Sequence, residues 1–266
     1  MQNQAILARP YLEQMSELTA EGLMALANEE IGALAVENFY DTESVTSISS
    51  QLIKERNFYI NAPSIGRIGM AFFEAEMKKE RLDHYYNTAI DGIDYLRKVF
   101  HPYLSPIDLI RLKLQEIWVS GANIENLHRK KMFIGLARIV LPGVNFLAHQ
   151  DDLRVDDPMS LVARGLKAQF ALNVYMEVPK DGGELKLWNY ELEKEEYNRL
   201  REPGSYGIEL HRLPSPTCIY QPKKGELVIF NCRRLHAVGA SQESERLSIS
   251  CFVGYRGENT SLTYWS

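Results

Sequence analysis

Lys167-Ala168-Gln169-Phe170-Ala171-Leu172-Asn173-Val174-Tyr175-Met176-Glu177-Val178 alternates along its whole length. Successive side chains of an extended strand leave opposite faces. Ala168, Phe170, Leu172, Val174, Met176 and Val178 therefore share one face, and Gln169, Ala171, Asn173 and Tyr175 the other. The first face belongs in a core. The second is either the solvated side of a sheet or the wall of a polar pocket, and alternation alone does not separate the two.

The same period continues on both sides. Upstream, Phe133 to Ala148 is an apolar stretch interrupted by Arg138 and punctuated by Pro142-Gly143, which reads as strand, turn and strand. Downstream, Gly183 to Trp188, Gly225 to Phe230 and Arg246 to Tyr255 carry further strand signals, and short strands in this number imply a barrel or sandwich. Between the first two lies a polar stretch, Asn189 to Pro216. Within it Glu191 to Glu202 has the pattern of a short charged helix with Glu195 and Arg199 paired four apart. So long a connection is either a solvated excursion or a lid over a site.

Before about residue 125 the period is helical. Tyr11, Met15, Leu18, Leu23 and Leu26 recur at helical intervals, Ala71 to Glu80 reads as a second helix, and Ser105-Pro106-Ile107-Asp108 opens a third. Ser105 would cap that helix, Pro106 would take its first position, and Leu109, Leu112, Leu114 and Ile117 would follow as far as Trp118. The expectation is an α+β chain forming a single domain over 1–266. Residues 1–125 would be a mainly helical annex, 126–266 a sheet core, and 189–216 a lid.

Composition narrows the class. A chain of 266 residues, 45% of them hydrophobic, can bury a sizeable core. Its net charge of -5 lacks the basic footprint that phosphate neutralisation requires, so nucleic acid is not expected as a partner. Cys218, Cys232 and Cys251 form no CxxC pair, which fits a reducing cytoplasm better than a disulfide framework. Met1 to Glu13 lacks the basic-then-apolar order of a secretory leader, and no apolar run is long enough to span a bilayer. Nothing in the pattern fixes an oligomeric state.

The chemistry-bearing residues are His149-Gln150-Asp151, then His236, then Arg246-Leu247-Ser248. With 6 His and 35 acidic residues in 266, chance alone supplies about 0.8 His-x-Asp/Glu matches. Taken alone, the motif reads more readily as a surface histidine beside the acidic run Asp151, Asp152, Asp156, Asp157. The downstream pieces change that balance, because two imidazoles and one carboxylate suit a non-heme Fe(II) centre with open positions for a cosubstrate and dioxygen. Asp151 is preferred to Asp152, since alternate residues of an extended chain face the same side as His149. Arg246 offers the fork that grips a dicarboxylate such as 2-oxoglutarate, with Ser248 on the same strand face; the rival for Arg246 is a rim salt bridge. Arg138, a charge inside an apolar segment, must find either a bound carboxylate or a protein Asp or Glu. His84, His101, His128 and His211 lack ligand spacing, and Trp188 and Tyr175 read as core residues.

The ordered block Pro222 to Phe230, His236-Ala237-Val238 and Arg246-Leu247-Ser248, together with His149-Gln150-Asp151, resembles the Fe(II)/2-oxoglutarate-dependent oxygenases over roughly residues 130 to 266. Those enzymes carry HxD, a distal His and Arg-x-Ser in this order on a double-stranded β-helix, or jelly roll. Pro179-Lys180-Asp181-Gly182-Gly183-Glu184-Leu185 and the terminal Tyr264-Trp265-Ser266 are similar to the branch of carrier-independent alkaloid halogenases and N-acyl amino acid hydroxylases, and Ser105 to Ala122 to its hydroxylase side. The resemblance implies Fe(II) held by His149, Asp151 and His236, with 2-oxoglutarate and O2 as cosubstrates and Arg246 on the far carboxylate. The implied reaction is hydroxylation of a small molecule, such as a free or N-acylated amino acid or a natural-product intermediate. In the halogenases glycine replaces the carboxylate ligand and opens a halide site. Asp151 fills that position here, so hydroxylation is expected over halogenation, desaturation or cyclisation, or a barrel that only binds ligands. No HxH or HExxH string of the kind a cupin-type hydrolase or isomerase would use is present.

Overall fold

The computed structural model describes residues 9–59 and 62–266, with no side chains described at 62 and 63. Residues 1–8 of the stretch read for the absence of a leader lie outside them. The alternating stretch forms the strand Ala168–Glu177 at the centre of a 10-stranded sheet. It pairs antiparallel with Leu227–Asn231 on one side and Arg246–Tyr255 on the other. Arg246–Tyr255 pairs with Leu136–Val140, which pairs in turn with Ala62–Ile68. A second sheet has 4 strands in the order Cys218–Tyr220, Leu185–Leu187, His236–Val238, Phe146–His149. Leu185, Leu187 and Val238 of this sheet share one buried cluster with Phe170, Leu172 and Val174 of the large one.

Both faces of Ala168–Glu177 are buried: Gln169 and Tyr175 are each only 1% exposed. The polar face of the alternating strand therefore turns inward. The apolar stretch from Phe133 behaves as expected, with strands Leu136–Val140 and Phe146–His149 separated by a turn in which Gly143 takes the left-handed φ of 77°. Those two strands lie in different sheets, so the turn carries the chain from one wall of the fold to the other.

The helical annex needs correction. Leu12–Met15 and Ala33–Val36 are parallel strands, and Ala33–Val36 pairs with Leu227–Asn231, extending the large sheet. Asn57–Tyr59 and Ala62–Ile68 extend its other edge. Residues four apart share a face in a helix and in a strand alike, so the Tyr11–Met15 spacing was compatible with both. Ala71 to Glu80 is not one helix either. Phe72–Ala75 makes a single tight turn closed by the Glu74 carboxylate, which accepts from the Ala71 amide at 2.8 Å and pairs with Arg67 at 2.7 Å. Glu76 and Met77 then take positive φ, and the long helix starts afresh at Lys79–Phe100, burying Tyr85, Ala89, Ile93, Leu96 and Phe100.

Helix Pro106–Ile117 starts as its signals require, with Ser105 Oγ accepting from the Asp108 amide at 3.1 Å. Its buried face is Ile107, Ile110 and Leu114, while Leu112 is exposed. Among the described residues no helix is long and apolar enough to cross a membrane.

The segment 189–216 contains the helix Lys194–Leu200, where Arg199 pairs with Glu196 at 3.2 Å rather than with Glu195. It is firmly attached to the small sheet. Its Tyr190, Leu192, Tyr197, Leu200 and Leu213 pack on a cluster of Ala148, Trp188, Ile208, Leu235 and Ala237, and Trp188 Nε1 donates to the Pro214 carbonyl at 2.8 Å.

Removing the cap of Pro106–Ile117 with Ser105→Ala should lower the unfolding free energy by about 1 kcal/mol. Denaturant titration checks this, and an unchanged midpoint would mean the Ser105 bond contributes nothing.

Candidate metal centre

His149 and His236 stand directly opposite each other on the antiparallel neighbours Phe146–His149 and His236–Val238. Their ring centroids are 4.2 Å apart. Each ring is fixed from behind: His149 Nδ1 lies 2.8 Å from the Leu147 carbonyl, and His236 Nδ1 lies 3.0 Å from the Arg234 carbonyl. With Nδ1–H donating to these carbonyls, both Nε2 lone pairs face the shared space.

Asp151 completes the group. Its Oδ2 is 3.8 Å from His149 Nε2 and 3.4 Å from His236 Nε2. Its backbone is pinned by its amide to the Cys232 carbonyl at 2.8 Å, and its carbonyl accepts from the Gln169 side-chain amide at 3.2 Å. Gln169 comes from the inward polar face of the central strand, and its Oε1 also accepts from the Leu153 amide. Asp152 is committed elsewhere, to the Arg154 amide at 2.9 Å and the Arg154 guanidinium at 2.6 Å.

Burial, then the nearby His236, pushes His149 down to about 4, so its imidazole is neutral at physiological pH. Burial works against the charge on Asp151, yet the two imidazoles and Arg138 hold its carboxyl below the usual carboxylate range. Asp151 Oδ2 is buried with no hydrogen-bond partner among the described residues. Ligands about 2.1 Å from one ion in adjacent octahedral positions lie about 3 Å apart, close to the separations found. The ligand atoms of His149, Asp151 and His236 all fall within 4.8 Å of one another. The donor set therefore fits a divalent iron held on one face, with the other face open.

Beside this group the large sheet presents a row of matched residues. Arg67 is opposite Arg138, Arg138 opposite Ser248, and Ser248 opposite Tyr175. Arg246, two residues before Ser248, shares their face. Arg246 is 6% exposed, with no ion pair or side-chain hydrogen bond among the described residues; its guanidinium lies 5.7 Å from the Tyr175 ring centroid. Burial lowers its pKa. Ser248 Oγ and Arg138 Nε are likewise buried without partners. The rim salt bridge is thus absent, and an unpaired cation lies beside an unpaired hydroxyl.

A cavity of about 930 Å³ opens onto His149 and Asp151, and Arg138 reaches its wall. Tyr59, Arg67, Asp156 and Tyr206 are among the lining residues to which the sequence assigned no role. Tyr59 and Arg67 lie in a stretch read as helical, and Asp156 was one member of an acidic run. Tyr206 comes from the 189–216 segment. Its hydroxyl accepts from the Leu147 amide at 2.9 Å, and its ring centroid is 6.0 Å from that of His149.

A family model described as carrier-protein-independent halogenase WelO5 matches residues 12–266. Among characterised proteins, the chain is 24% identical over 163 residues to the L-gamma-glutamyl-L-propargylglycine hydroxylase of Streptantibioticus cattleyicolor, covering 60% of this chain and 59% of that protein. It is 26% identical over 218 residues to the leucinostatins biosynthesis cluster protein S of Purpureocillium lilacinum, covering 77% of this chain and 86% of that one. Among solved structures, the N-substituted L-amino acid dioxygenase of Burkholderia ambifaria in complex with alpha-KG superimposes with a TM-score of 0.59 at 14% identity, covering 93% of this chain and 91% of that chain. HygX of Streptomyces hygroscopicus, with nickel and 2-oxoglutarate bound, gives 0.51 at 15% identity, covering 90% and 87%. At these identities the structural likeness establishes the fold.

A buried cation without a partner is a cost to the ligand-free protein. Arg246→Met should leave the ligand-free melting temperature unchanged or higher in calorimetry. A fall of several degrees would mean that the guanidinium is already paired.

Proposed function

Because the chain belongs to the carrier-protein-independent halogenase WelO5 family, we propose that it is an Fe(II)/2-oxoglutarate-dependent dioxygenase that hydroxylates an unactivated C–H bond of a small molecule. The observation that carries this reading is the Asp151 carboxylate, whose Oδ2 faces both imidazoles and has no hydrogen-bond partner among the described residues. We read the two sheets as a double-stranded β-helix, and the chain as one domain in which the early strands complete the core.

In this reading His149, Asp151 and His236 hold the iron. The neutral imidazole of His149 supplies a lone pair, and the Asp151 carboxylate offsets part of the metal's charge. That carboxylate takes the coordination position a halide would need, which favours hydroxylation over halogen transfer. Iron with 2-oxoglutarate and dioxygen supplies the oxidising power, the balance being succinate, carbon dioxide and a hydroxylated product. Arg246 binds the far carboxylate of 2-oxoglutarate through its fork, and Ser248 donates its free hydroxyl to the same group. Arg138, on the cavity wall, is a second cation for a carboxylate near the metal.

The walls do the rest. Phe133, Phe146 and Met70 keep the cavity largely apolar, which excludes water and fixes one C–H bond toward the open face of the metal. Segment 189–216 packs behind the small sheet, and of its residues Tyr206, anchored on the strand that carries His149, reaches the cavity wall. A volume of about 930 Å³ accommodates a free or N-acylated amino acid or a natural-product intermediate of modest size.

Succinate release from 2-oxoglutarate under air should depend on added Fe(II) and vanish in Asp151→Ala and His236→Ala; normal turnover in both would sink the metal assignment. With chloride present, mass spectrometry should find hydroxylated product, and a chlorinated main product would overturn the outcome argued from Asp151. Added 2-oxoglutarate should raise the melting temperature of the Fe(II)-loaded wild type by several degrees more than that of Arg246→Met.

A further inference from the structure

The fold gives the four carboxylates of the acidic run different partners. Asp151 faces the imidazoles, and Asp152 is held by Arg154. Asp157 is fully buried, 2.7 Å from His128 Nε2. Asp156 has no side-chain hydrogen bond and no ion pair among the described residues, yet it lines the same cavity as His149 and Asp151. Its side chain is half-buried and lies on the cavity wall. It is not part of the three-residue donor group, so it is not a spare metal ligand.

The other carboxyls of the wall are either paired or exposed. Glu74 is paired with Arg67 at 2.7 Å, and Glu76 with Arg81 at 3.1 Å. Glu55 accepts from the Tyr95 hydroxyl and from the Gln51 amide. Asp91 is unpaired but exposed, where water satisfies it. Burial, followed by the fields of Asp151, Asp152 and Asp157, pushes Asp156 up to about 8. Of the elements packed against it, the turn Phe72–Ala75 brings only Glu74, already neutralised, and the helix Leu161–Arg164 ends in Arg164, which donates to the Met159 carbonyl. A carboxyl in such a place is uncomfortable as an anion until a cation reaches it, and no protein cation does.

We propose that Asp156 is the specificity residue of this cavity and receives the protonated primary or secondary amine of a substrate whose body is otherwise apolar. The inference rests on the reading of the cavity as the oxygenase's substrate pocket. It narrows the substrate class to molecules that keep a basic nitrogen, against those whose nitrogen is acylated and neutral. The apolar walls take the body of the molecule while Asp156 fixes one end, which sets the carbon presented to the metal.

Phenethylamine and N-acetylphenethylamine share an apolar body and differ in charge at one end. Calorimetric titration of the Fe(II)- and 2-oxoglutarate-loaded protein under argon should show the amine binding at least about tenfold more tightly than the amide. Asp156→Asn should erase that preference, and Asp156→Glu should retain it. Equal affinities in the wild type, or a preference that survives Asp156→Asn, would overturn the proposal, and the wild-type comparison decides even if the Asn variant does not fold. The visible charge-transfer band of Fe(II) with 2-oxoglutarate, recorded on the same samples, reports on the metal separately. Its absence with the amine preference intact would remove the oxygenase reading and leave Asp156 as the amine's partner.

Discussion

The structure turns on one strand pairing: His149 lies in register with His236, and both rings are turned the same way by a carbonyl two residues before them. A shift of one residue in that register would send one imidazole to the opposite face of the small sheet and dissolve the group. Much of the surrounding structure protects this register. Trp188, Ile208 and the 189–216 segment pack behind the two strands, and Gln150 ties the Leu192 backbone through its side-chain amide, accepting from the Leu192 N–H at 2.8 Å. Asp151 then needs only a fixed backbone to bring its carboxylate between the rings, and Cys232 and Gln169 supply the two hydrogen bonds that fix it.

The large sheet contributes the complementary constraint. Arg138 and Arg246, with Ser248 and Tyr175 beside them, occupy one inward face, and among the described residues no carboxylate meets the buried guanidinium of Arg246. Folding alone gains nothing from such an arrangement, because an unpaired buried charge opposes stability. A dicarboxylate chelated between the two sheets would satisfy both needs at once, one end on the metal held by the small sheet and the other on the cation of the large one. The two-sheet core thus brings together residues from opposite walls that are far apart in the chain.

What the sequence made legible follows from the range of each signal. His149, Asp151, His236 and Arg246 could be picked out because chemistry constrains residue type as well as order, and the period-two alternation of 167–178 is a local property of one strand. Ser105 was readable as a cap for the same reason, since cap and helix are neighbours in sequence. The early strands were not. Ala33–Val36 is only 4 residues long, and its place in the sheet depends on Leu227–Asn231, far along the chain. Tyr59 and Arg67 reach the cavity only because their strands join the opposite edge of that sheet, so no local pattern could announce them. The polar face of the central strand was ambiguous until burial settled it inward.

The charge layout of the cavity follows from these placements. Of its cations, Arg138 and Arg67 stand on the large sheet and Arg81 on the long helix, with Arg67 already paired to Glu74 and Arg81 to Glu76. Its acid without a partner among the described residues, the half-buried Asp156, stands on the short helix Leu153–Asp156 just after Asp151. Iron bound to Asp151 would cancel the negative charge that most opposes ionisation of Asp156, making that carboxyl a better anion in the loaded protein than in the empty one. Metal and cosubstrate would in this way complete the electrostatics of the substrate pocket as well as the reaction centre, so that the pocket is fully formed only when the oxidising machinery is in place.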